Sequence, residues 1–163
     1  MLLVVDANVL IDFASTDSSV LALVVQHVGG IHVPRDVLEE VEQLTEDTCT
    51  RLGMVIVDGT LEQLLEAGAT SGGLSFQDRM CLILARDHGW TCVTNDKRLR
   101  AACTEVGVGV KWGLQLLLEL VAAGVLAAAD ALALAAEITS ANPWMGEKLL
   151  EAFGQKLDQM ESG

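Results

Sequence analysis

The sequence predicts an α/β fold, a three-layer α/β/α domain on a central, mainly parallel sheet, followed by a helical extension. Three observations predict it. Short, mostly apolar runs at residues 2–5, 31–33, 54–57 and 90–93, the first wholly apolar, alternate with segments of helical spacing, the pattern of strands buried on both faces and joined by crossover helices. Carboxylates stand just past two of those runs, Asp6 directly after Val5 and Asp96 three residues after Val93, at the sheet edge where ligands of open α/β sheets bind. Beyond Lys111 the strand-like runs stop and only helical patterning continues.

The first strand runs into Asp6, and a helix begins near Asn8. A second helix fits residues 18–28 and ends at Gly29-Gly30, as glycine after a helix often does. Residues 31–33 form a short strand, and Pro34 opens the next helix at a favoured first-turn position. That helix is predicted over residues 35–44, with Val37, Leu38, Val41 and Leu44 as its apolar stripe. Glu40 borders the stripe, whereas Glu39 and Glu42 point more towards water. Residues 54–57 read as another buried strand and Asp58-Gly59 as a turn. Thr60 caps a helix through Ala67, and a glycine-rich loop is expected at residues 68–73. Ser75 then caps a helix that ends at His88-Gly89, with Asp78 three residues on, at the positive end of the helix dipole. Residues 90–93 form a strand, residues 97–103 a short helix and residues 106–110 a final strand. Helices hinged near Gly124 and broken at Asn142-Pro143 complete the chain. This divides the molecule into a core at residues 1–111 and an extension at residues 112–163 packed on the same domain.

At 163 residues the chain fits one domain with a sizeable core, and 51% hydrophobic against 20% charged residues excludes a disordered chain. Aromatics at 4% offer no obvious stacking platform for single-stranded nucleic acid. A net charge of −13 argues against a general nucleic-acid coat protein, but not against a nuclease whose carboxylates hold divalent metal. The charge reverses locally over residues 79–100, where Arg79, Arg86, Lys97, Arg98 and Arg100 face only Asp87 and Asp96. Cys49, Cys81, Cys92 and Cys103 lack close pair spacing and read as buried free thiols. His27, His32 and His88 show no ligand spacing. Asp6 and Asp12 interrupt the N-terminal apolar run, and Glu119 and Asp130 the stretch at 112–136, so neither a signal peptide nor a membrane span is expected. The expected setting is soluble and cytoplasmic.

In a parallel sheet all strand carboxyl ends lie on one edge, with the amino ends of the following helices. Asp6, Asp78 and Asp96 are therefore expected to converge there, with Glu40 in reach. Four carboxylates so close repel one another unless a cation sits among them, and hard oxygen donors select Mg²⁺ or Mn²⁺. Such a site suits phosphodiester hydrolysis.

The segments VVDANVLIDF, VPRDVLEEV, LSFQDRMCLILARDHGW and TNDKRLR, in this order and spacing, resemble the PIN-domain nucleases, of which VapC-type toxin ribonucleases are the best-known small members. The resemblance covers roughly the first 110 residues. It implies Mg²⁺- or Mn²⁺-dependent endonucleolytic cleavage of RNA at Asp6, Glu40, Asp78 and Asp96, which would serve as metal ligands and catalytic groups. It also implies Asn8 and Thr94 as donors that orient those carboxylates or water, and an antitoxin protein as a partner. Arg79, Lys97 and Arg98 are candidates for substrate phosphates. The extension is longer than a minimal VapC-like toxin needs, and its small apolar residues fit core completion or a homodimer face. Two alternatives stand beside this one. The first is a PIN-like protein that binds RNA or a partner without cutting. The second is an aspartyl-phosphate receiver or phosphatase-type module using Asp6, against which Asn8 stands where a phosphatase of the haloacid-dehalogenase type needs a second acid.

Overall fold

The computed structural model describes residues 1–69 and 72–163. Among them five parallel strands form one sheet: β1 (Leu2–Val5), β2 (Gly30–Pro34), β3 (Val55–Val57), β4 (Thr91–Val93) and β5 (Val110–Lys111), in the spatial order β3-β2-β1-β4-β5. β1 lies in the middle, and Leu3, Val4 and Val5 are fully buried. The run at residues 54–57 was expected to be buried too, but β3 is the edge strand. It has one neighbour, Val55 is exposed, and Ile56 and Val57 are half-buried.

α1 (Ala7–Asp17) and α2 (Ser19–His27) follow β1. After β2 the predicted helix over residues 35–44 is cut short: α3 spans Arg35–Leu38 only. The chain continues in tighter turns, in which the N–H groups of Glu40, Val41 and Leu44 donate to Val37, Leu38 and Val41 carbonyls three residues back. Val41 and Leu44 stay buried, so the apolar spacing is satisfied without the α-helix that it suggests. α4 (Glu46–Arg51) carries no apolar stripe and was not anticipated; Cys49 is its one buried residue, and the Thr45 hydroxyl caps it.

α5 (Leu61–Ala69) runs through Gly68, so any glycine-rich loop starts later than expected, and Thr70 and Ser71 within it lie outside the described residues. α6 (Phe76–His88) starts at its Ser75 cap and ends at Gly89, whose φ of 71° favours glycine. α7 (Lys97–Glu105) runs further than predicted, into a turn at Val106 and Gly107, and Val106 is exposed. The final strand therefore occupies only Val110–Lys111 in place of residues 106–110. α8 (Gly113–Ala122), α9 (Ala128–Ala141), a 3₁₀ turn (Pro143–Met145) and α10 (Gly146–Ser162) complete the chain.

α6 packs on β1, β2 and β4 with α5 and α7 beside it, while α8 packs on α2 and α9 on α1. The three-layer α/β/α arrangement and the helical extension are thus both present. The four cysteines are buried and free. His32 and His88 both stack on Trp90, with ring centroids 4.2 and 4.3 Å away. No single helix among the described residues is long and apolar enough to cross a membrane.

Candidate active site

The sheet order reverses between β1 and β4, because β2 lies on one side of β1 and β4 on the other. The crevice beyond the carboxyl ends of such strands is where open α/β sheets bind ligands. Asp6 leaves β1 at that point, and Thr94, Asn95 and Asp96 leave β4 beside it.

Asp6 is 3% exposed. Its N–H donates to the Val93 carbonyl (3.1 Å), which fixes it to β4. Its Oδ1 accepts from the Val9 N–H (3.0 Å), capping α1, and its Oδ2 accepts from the Thr94 hydroxyl. The capping role and a role as a cation ligand are compatible, since each carboxylate oxygen keeps a lone pair. Burial pushes the Asp6 carboxyl up to about 6; the Thr94 and Val9 hydrogen bonds oppose this, and the charges of Asp78 and Asp96 add to it.

Thr94 is fully buried and joins two acids. Its hydroxyl donates to Asp6 and accepts from the Asp96 N–H (3.0 Å). Asp96 is exposed and caps α7, its Oδ1 accepting from the Arg98 and Leu99 N–H groups at 2.8 and 2.9 Å. Asp96 Oδ2 is left without a hydrogen bond among the described residues. Asp78 is half-buried in the first turn of α6, its N–H donating to Ser75 Oγ (3.1 Å). Burial and the Asp96 charge raise its carboxyl, against the Ser75 hydrogen bonds. Glu40 is exposed, in the turns after α3, and its carboxyl is raised by partial burial and by the Asp78 charge. The charge of Asp96 thus acts on Asp6 and Asp78, and that of Asp78 on Asp6 and Glu40, across a common edge. Among the described residues, however, no three acidic, imidazole or thiol side chains close on one point as metal ligands.

The donor set is nonetheless suited to a hard divalent cation. It is all carboxylate, and the two innermost acids are raised partly by one another's charge or by that of Asp96, which a cation would offset.

Asn8 is exposed on α1 and lines one cleft with Asn95, Asp96, Lys97, Asn142 and Trp144. Lys97 is exposed there. Arg98 reaches back to the Gly73 carbonyl (3.4 Å), and Arg79 donates to the Ala67 carbonyl (3.0 Å) on the α5 side of α6. No sequence pattern marks Asn95, Asn142 or Trp144 as site residues. Asn95 is buried and its Oδ1 accepts from the Gly113 N–H (2.9 Å), tying the β4 loop to the start of α8. A Cβ on Gly113 would lie 3.3 Å from Asn95 Nδ2 and from Val9 methyls, a tight fit. Asn142 Nδ2 donates to Asp12 Oδ1 (2.9 Å) and to the Ile138 carbonyl (2.8 Å). Asn142-Pro143 announced only a helix break, and nothing in its spacing shows that the break lands beside Asp96.

A family model described as a PIN domain matches residues 2–159. No curated protein matches the chain. Among solved structures, a PilT N-terminus domain protein from the hyperthermophilic archaeon Sulfolobus solfataricus P2 superposes with a TM-score of 0.54 at 12% identity, over 72% of this chain and 92% of that one. At that identity the likeness concerns the fold.

Proposed function

The chain belongs to the PIN-domain family, and from that membership we propose that the cleft beyond β1 and β4 is the active site of a metal-dependent endoribonuclease. Members of the family are in general metal-dependent nucleases that use Mg²⁺ or Mn²⁺. The observation that carries the proposal for this chain is the Asp6–Thr94–Asp96 linkage at the sheet's switch point, with Asp78 close enough to raise Asp6 further.

Asp6, Asp78 and Asp96 would hold the cation, with Glu40 completing the acidic edge. When bound, Mg²⁺ or Mn²⁺ supplies Lewis acidity that activates water and offsets charge on the leaving 3′ oxygen. The protein's own groups do the positioning. Thr94 and the Val9 N–H each hold one oxygen of Asp6, so the carboxylate cannot swing away from the edge. The α7 amino terminus holds Asp96 Oδ1 and leaves Oδ2 to ligate. Asn8, whose side chain makes no hydrogen bond among the described residues, can donate to a substrate or water oxygen, and Lys97 can meet a phosphate in the same cleft. Arg98 can join it by giving up its long bond to Gly73, whereas Arg79 would first have to leave the Ala67 carbonyl.

The test is cleavage of a varied RNA panel with Mg²⁺ or Mn²⁺ by the wild type, Asp6→Asn and Asp96→Asn. Each substitution is expected to lower the rate by about a hundredfold or more, since even partners behind metal ligands are worth about 10–100-fold. Activity that survives both substitutions, or chelation, overturns the proposal. The finer assignment, a toxin of a toxin–antitoxin pair acting as a cytoplasmic homodimer, is tested by the neighbouring gene. A small DNA-binding protein whose co-expression silences the cleavage supports it, and a neighbour without effect removes it.

A further inference from the structure

Resting on the cleft's role as a nuclease site, we propose that Trp144 is the platform on which an unpaired base of the substrate stacks. Trp144 is 63% exposed and lines the cleft that holds Asp96, Lys97 and Asn8. The other two indoles already have partners: His32 and His88 both stack on Trp90, and the Arg100 guanidinium lies 3.8 Å over the Trp112 ring. Trp144 has no ring or cation partner among the described residues. The turn that carries it separates its two large side chains, Met145 packing on the core and Trp144 facing the cleft.

The indole is exposed, yet its base is rigid. Pro143 fixes its own φ, the Met145 N–H donates to the Asn142 carbonyl (2.9 Å), and Asn142 Nδ2 is clamped by Asp12 and by the end of α9. A rigid aromatic face stacks on a base with little ordering cost. The chemistry of the cleft fits a nucleotide on both sides of that face. Lys97 suits the phosphate, and the Asn8 amide suits a base edge or ribose hydroxyl. The net charge of −13 adds to the case, because counterion release can supply little of the affinity and a contact independent of phosphate charge must supply more. The sparse aromatics suggested no stacking platform, but one correctly placed indole is enough for one base.

Fluorescence anisotropy with labelled single-stranded oligoadenylate, and with the same strand in duplex with oligouridylate, tests this using the full chain with Ca²⁺ as the divalent cation. Trp144→Ala is expected to weaken single-strand binding about 5- to 150-fold, the range for loss of one base stack. Duplex binding should not change, because paired bases present no free face. Trp144→Phe should recover most of the single-strand affinity yet lose the tryptophan quench that the wild type shows on binding. Equal single-strand affinity in Trp144→Ala, an equal loss on the duplex, or no binding by the wild type overturns the proposal. So does a changed sedimentation coefficient with unchanged RNA affinity, which would assign the indole to a second copy of the chain. If the wild type cuts RNA and Trp144→Ala binds it equally well, the platform fails and the nuclease stands. Trp144-dependent binding without cleavage fails the nuclease and keeps the platform.

Discussion

Asp6 is raised from 3.8 to about 6, chiefly by burial, so the folded protein holds a proton there over a pH range in which the unfolded chain has released it. For a carboxyl raised in this way, the penalty is absent below about 3.8, grows as pH rises through the interval and is complete above about 6. Its full size is about 3 kcal/mol, at 1.36 kcal/mol per pKa unit. Asp78 and Glu40 are raised as well and act in the same direction. In chelator, Asp6→Asn is therefore expected to be more stable than the wild type at pH 7.5 and nearly equal to it at pH 4. Urea unfolding at the two pH values measures this, and a wild type that gains stability from pH 4 to 7.5 relative to Asp6→Asn contradicts it. The residue on which the proposed function most depends thus weakens the metal-free fold.

At the scale of elements, one carboxylate caps a helix and is also a proposed cation ligand, two roles that substitution can separate. Asp96 caps α7 through Oδ1, and Asn is as good a cap as Asp, whereas Ala is not. Asp96→Asn should retain the wild-type melting temperature, and Asp96→Ala should lose about 1 kcal/mol, while both lose cleavage. Thermal unfolding beside an RNA assay separates the cap from the ligand, and a large destabilisation by Asn would show that the charge itself matters to the fold. The caps also explain what was legible. Ser75 and Gly89 mark helix ends by local chemistry, and the strand-then-acid pattern placed Asp6 and Asp96 at one edge, though not Asp96 as the cap of α7. The spacing of Val37, Val41 and Leu44 misled, because buried positions three and four apart are served equally well by successive tight turns. α4 escaped notice because a short helix with one buried cysteine has no stripe to read. Val106 read as a strand residue for its side chain, yet Gly107 at a φ of 78° turns the backbone there. Asn142 and Trp144 reach the cleft only because α9 returns along α1, a long-range placement that no local pattern encodes.

That return bears on the molecule as a whole, because the extension shares its core with the first helices. Leu116, Leu117 and Leu120 of α8 are fully buried, as are Ala131 and Ala135 of α9, and these helices pack on α2 and α1. Each fully buried leucine contributes about 1.5–3 kcal/mol, so the three on α8 alone amount to about 5–9 kcal/mol. A domain's whole stability is about 5–15 kcal/mol. A fragment limited to residues 1–111 would also leave the apolar faces of α1 and α2 open to water and Asn95 Oδ1 without its Gly113 donor. It is expected to show no cooperative unfolding transition and to aggregate, even though it contains all four acids of the candidate site. Leu117→Ala in the full chain gives a graded version, with an expected loss of about 2–5 kcal/mol in urea unfolding and an unaltered cleavage pattern in the fraction that remains folded. A soluble, cooperatively folding 1–111 fragment would show instead that the extension is an appendage. The core would then be complete without it, and Trp144 would be an addition to a proposed site whose four acids are all held by that core.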